Sequence, residues 1–136
     1  MKIENIPAGP QLDALVAMAQ WWELIQLTSS SGWMLHPSDY EGIYKWFTED
    51  GEKPPINKED YTPSTTPAQW AELIEAFDVS VWVAYDDKTE AKLFGAQTES
   101  GRGVYSRAGY GEAICKAVIA AKWGDVIPDD VWEKVK

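Results

Sequence analysis

The chain has 136 residues, 45% of them hydrophobic, and a formal net charge of −10 from 22 acidic and 12 basic side chains. That length and apolar content suit one domain with a real core. The acid excess argues against direct nucleic-acid binding, which needs Lys and Arg clustered against phosphate; Arg102 and Arg107 are the only arginines. Eight tryptophans suggest a core stiffened by large rings, with some left for a partner, since Trp and Tyr are enriched at binding hot spots. Cys115 is the single cysteine, so no intrachain disulfide and no oxidising compartment are implied. Residues 1–7 carry no apolar signal-peptide run. No apolar stretch reaches the ~18 residues of a spanning helix. We expect a cytoplasmic protein without a membrane segment.

In chain order, the apolar spacing of Leu12, Leu15, Val16, Ala19 and Trp22 predicts a helix from Pro10 or Gln11 to about Leu27. Trp21, Leu24, Ile25 and Leu27 widen its apolar arc beyond one stripe, so cover on more than one side is expected. Only Asp13, Gln20, Glu23 and Gln26 interrupt that arc. Trp33 to His36 reads as a short strand. Ser38 and Glu41 have capping-box spacing, and Tyr40, Ile43, Tyr44 and Phe47 continue at helical intervals up to Gly51. Residues 50–64, with Pro54, Pro55 and Pro63, read as an exposed loop within one domain. Thr66, Pro67 and Gln69 predict a capped helix start, with Trp70, Leu73, Ile74 and Phe77 buried.

Val79 to Tyr85 reads as a strand covered on both faces. It turns at Asp86–Thr89 and pairs antiparallel with Ala91–Gln97. Val104 to Ser106 adds a third short strand. A last long helix runs from Gly111 to Trp123 with Gly124 as its cap, and Pro128 to Val135 adds a helical turn. These elements predict an α/β fold: a small helix–sheet–helix (α-β-α) sandwich with a short antiparallel sheet of two to four strands.

Three stretches carry a resemblance. They are Leu12–Ala17, Tyr61–Thr65 followed by a Trp-bearing helix, and Gly111–Ala117. Their order resembles small tailed-phage and prophage proteins with a phage ABA-sandwich domain. The stretch Ala120–Pro128 is similar to the close of the phage NinX family. The resemblance covers most of the chain apart from residues 37–60. It implies the sandwich and a phage or prophage setting, and it brings no active site with it.

The candidate sites divide the same way. His36 lacks the second ligand that a metal or base would need, and Cys115, within a helix, reads as a small apolar residue. The pairs Asp86–Asp87 and Asp129–Asp130 suit turns and helix starts. No catalytic residue, metal or cofactor is expected. Tyr40, Tyr44 and Trp46 lie among acids that include Glu49, Asp50 and Glu52. Aromatics beside acids suit a surface that docks a basic protein; core packing under a loop is the alternative. Arg102, Arg107, Gly109 and Gly111 flank one short strand and lead into a helix N-terminus, where an anion such as a nucleotide could be held. The leading expectation is non-enzymatic binding of a host or phage macromolecule, with antagonism of host defence as one specific version. Capture of a nucleotide-like anion comes second, and an enzyme of unknown class third.

Overall fold

The computed structural model describes residues 1–26, 44–49, 51 and 53–136. The strand expected at Trp33–His36 and the cap expected at Ser38–Glu41 fall outside them. The fold is a small mixed α/β sandwich with two short antiparallel sheets.

Helix α1 (Pro10–Ala19) starts with Pro10 in its first turn, where the missing N–H costs nothing. Leu12, Leu15, Val16 and Ala17 are fully buried. The helix stops at Ala19, eight residues short of Leu27. Trp21 takes a left-handed φ of 64°, and its amide donates back to the Met18 carbonyl. Leu24 and Ile25 then lie in strand β1 (Glu23–Gln26), so two of the residues that made the apolar arc too wide belong to a different element.

Strand β2 (Tyr44–Phe47) pairs antiparallel with β1 and with β3 (Ile56–Asn57). The expected helix through Tyr44 and Phe47 is therefore replaced by strand at its described end. Tyr, Trp and Phe favour a pleated, half-buried surface, and a short aromatic run fits either period. Alternation turns Trp46 inward. Residues 50–64 are likewise not one exposed loop. They hold β3 and a 3-10 turn at Lys58–Asp60, then bury Tyr61, Pro63 and Ser64.

Helix α2 (Pro67–Phe77) begins where expected, with Thr66 at the N-cap and Pro67 first. Its capping box does not form. Thr66 Oγ1 lies 2.7 Å from Thr62 Oγ1, and Gln69 bridges backwards to the Thr62 N–H and the Asp60 carbonyl, each at 2.7 Å. The pair fastens the preceding loop to the helix.

Strands β4 (Ser80–Tyr85), β5 (Lys92–Gln97) and β6 (Val104–Ser106) form the second sheet in the order β4-β5-β6. The expected hairpin is present, with Val81 opposite Ala96 and Val83 opposite Phe94. On the sheet's outer face the Trp82 indole covers Gly95, where any Cβ would strike the ring, and meets Tyr105 edge-on. Helix α3 (Tyr110–Trp123) lies over β5 and β6 on the inner face, and α1 and α2 pack against α3. Ala113 through Ala120 are all buried, so α3 is enclosed by sheet and helices. Gly124 closes it with a left-handed φ of 79°. Helix α4 (Asp129–Val135) packs Val131, Trp132 and Val135 on the core.

Candidate functional site

Three stretches distant in sequence, Leu12–Ala17, Tyr61–Thr65 and Gly111–Ala117, meet at one buried polar joint. Asp13, in the first turn of α1, accepts the Ser64 N–H at 2.8 Å and the Ser64 hydroxyl proton as well. That hydroxyl in turn accepts the Gly9 N–H at 3.0 Å. The Ser64 carbonyl abuts Gly111 so closely that a Cβ there would collide with it, and Trp70 closes the same space. Gly111 is therefore a packing glycine, with the space of its missing side chain occupied by backbone. Beside the joint, the Tyr61 hydroxyl accepts from Gln20 Nε2 at 2.8 Å, and the Trp22 ring packs on Tyr61 with centroids 4.7 Å apart.

Burial raises the Asp13 carboxyl above its ordinary value, while the Ser64 hydrogen bonds pull the other way. The same burial pushes the Tyr61 hydroxyl and the Cys115 thiol upward. Cys115 is fully buried and held as a thiol, so it behaves as the small apolar residue expected. A hollow of about 270 Å³ touches the joint, lined by Asp13, Trp46, Lys58, Glu59 and Tyr61. In the sequence Asp13 shows only as a break in the apolar arc, and Ser64 does not stand out as a site residue. The signal was there: an acid on an otherwise apolar helical arc needs a buried partner.

The candidate anion site is taken apart by the fold. Arg102 pairs with Asp125 at 2.6 Å before β6, and Arg107 pairs with Asp86 at 3.2 Å after it. Asp86 also accepts the Lys88 and Thr89 amides, and these lower its carboxyl below the usual range. Gly109 is the N-cap of α3. Arg102 does reach a cleft of about 510 Å³, whose walls include Lys2, Glu4, Tyr105, Lys116 and Asp125. Lys116 is itself only 4% exposed and gives its ammonium to Glu112 at 2.6 Å and to the Glu4 carbonyl.

The candidate docking segment also changes. Trp46 is 3% exposed, so its ring belongs to the core and offers no contact area. Tyr44 is half-buried under the Lys58 ammonium, and Glu49 is exposed. Tyr40, Asp50, Glu52 and His36 lie outside the described residues. Glu59 and Asp60 on the 3-10 turn are also exposed, and Gln69 ties that turn to α2, whose Glu72 and Glu75 are exposed too.

Among the described residues no three His, Cys, Asp or Glu side chains gather as a metal site would require. None of the helices among them is long and apolar enough to cross a membrane. Comparison with models of protein families, with curated proteins and with solved structures gave no match.

Proposed function

We propose that this protein acts by binding a basic macromolecular partner and not by catalysis. In this reading it is an accessory protein of a phage or prophage, working in the host cytoplasm and directed against a host defence system. The phage setting rests on the resemblance of the three stretches that converge on Asp13, Ser64 and Gly111.

The observation that carries the binding reading is the disposition of charge. Arg102, Arg107, Lys53, Lys116 and Lys136 are held against the chain's own carboxylates. Lys58, Lys92 and Lys122 lie over aromatic rings. Glu49, Glu59, Asp60 and Glu75 meanwhile stand exposed. A net charge of −10, with these eight cations so engaged, presents an outward negative field, which steers a basic partner and speeds encounter.

The test uses a partner captured from host cells. Replacing Glu59, Asp60 and Glu75 together by Gln, Asn and Gln should slow association about tenfold at low salt, with the rates converging as salt is raised. An association rate that ignores both salt and the triple variant would overturn the reading.

A second reading rests on the cleft that contains Lys2, Arg102 and Lys116, whose volume is that of a small-ligand site. It expects a nucleotide-like anion to raise the melting temperature, and Arg102→Ala to abolish that rise.

A further inference from the structure

Among the described residues, strand β4 is an edge with no strand beyond it in the sheet. The Asp86 N–H donates to the Ala91 carbonyl at 2.8 Å, so the Asp86 backbone faces the β5 side of the hairpin. Antiparallel pairs alternate, so Ala84, Trp82 and Ser80 also turn their backbone groups toward β5. The N–H and C=O groups of Val81, Val83 and Tyr85 therefore point outward. Their side chains lie on the same face as Ala96 and Phe94, the face that α3 covers over β5 and β6. The cover stops short of β4, leaving Val81 42%, Val83 40% and Tyr85 66% exposed.

Edge strands are ordinarily guarded by Lys, Pro or a bulge. Ser80–Tyr85 contains no charged residue and no proline. It is a hydrophobic strand with high β-propensity left open on a highly charged protein.

We infer that β4 pairs antiparallel with β4 of a second copy of this chain, with the two-fold axis at Val83. This is separate from the basic partner proposed above and leaves Glu59, Asp60 and Glu75 free. Two features select a second copy as the occupant. The first is charge. Two molecules of −10 each repel over most of their surfaces and can meet where carboxylates are absent, while a basic partner finds no carboxylate on β4. The second is self-complementarity. Centring on Val83 sets Val83 against Val83 and Val81 against Tyr85, so all three outward-facing residues of each copy enter the ladder. Centring on Val81 or Tyr85 leaves some of them unpaired. The product is one six-stranded sheet, with the uncovered side chains of both copies filling the space between the two α3 helices.

Paired residues of this hydrogen-bonded type have Cα atoms about 5.5 Å apart, inside the range a disulfide spans. A Val83→Cys variant should cross-link to itself under mild oxidation, and Val81→Cys, which faces Tyr85, should do so at least several-fold less. The wild type supplies the background, because its Cys115 is buried. Sedimentation of the wild type should show a concentration-dependent species of about twice 15.2 kDa, and Val83→Lys should abolish it. A wild type that stays monomeric at every concentration overturns the inference. So does a dimer that survives Val83→Lys, or equal cross-linking by the two cysteine variants. If Val83→Lys fails to fold, the cysteine pair still decides.

Discussion

Asp13 shows how one side chain can be costly and useful together. Its carboxylate is withdrawn from water, which disfavours the charge, yet it supplies the acceptor that satisfies the Ser64 amide. A carboxyl whose folded pKa is raised contributes stability that is fully present below its unfolded value of about 3.9. That contribution is lost as pH rises through the folded value. Asp13→Asn keeps an acceptor and removes the charge, so its stability should fall less than that of the wild type between acid and neutral pH. Parallel thermal melts of the two proteins across that interval check this; identical pH dependence would refute it. Asp13→Ala instead leaves the buried Ser64 N–H unpaired and should cost about 1–3 kcal/mol in denaturant titration. Gly111 is the steric counterpart. Gly111→Ala would drive a methyl group into the Ser64 carbonyl and the Trp70 ring, and should destabilise by about 1–3 kcal/mol, as overpacking does. A neutral result there would mean that the joint can open without penalty.

Among the elements, α3 and the β4–β5 hairpin were legible in the sequence because their signals were local. Gly124 marks a helix end, Asp86–Thr89 marks a turn, and Val81, Val83 and Tyr85 keep a strict alternation. The first helix ends sooner than its apolar pattern predicts, and Tyr44–Phe47 is strand where helical spacing predicts helix, for one shared reason. Leu24, Ile25, Tyr44 and Phe47 are apolar enough for either period, and pairing between β1 and β2 across a long sequence separation settles the matter. No window of a dozen residues contains that information. The Thr66 and Gln69 signal located α2 correctly but not its partners, because the nearby loop competed for both side chains. Burial along α3 gives the sharpest element-level expectation. Ile114 is fully buried between sheet and helices, and Ile114→Ala should cost about 2–5 kcal/mol. Trp70, only half-buried, should cost less when truncated than a fully enclosed ring would. Denaturant midpoints of the two variants test the ranking.

At the scale of the whole molecule, the candidate site was legible only as composition. The sequence shows an acid excess and two arginines, but not that each arginine is answered by its own carboxylate, Asp125 or Asp86. It shows Trp46 beside acids, but not that strand geometry turns the ring inward. It predicts cover on both faces of β4, where the structure leaves an open strip because α3 lies over β5 and β6. The docking expectation therefore loses Trp46, while Tyr40 and Asp50 lie outside the described residues. It rests on the outward field of Glu59, Asp60 and Glu75, whose salt dependence is open to measurement.

The enclosure of α3 also has a temporal side. A helix with sheet on one flank and two helices on the other cannot expose its backbone until both flanks have separated. Its amides should exchange with solvent deuterium only through complete unfolding, while those of β1 and β3, in a separate sheet of short strands, can exchange through smaller openings. Hydrogen exchange would then divide the molecule into a slow centre from Ala113 to Ala120 and a faster periphery. The surface proposed to meet a partner lies in that periphery, so it could adjust its shape without disturbing the centre.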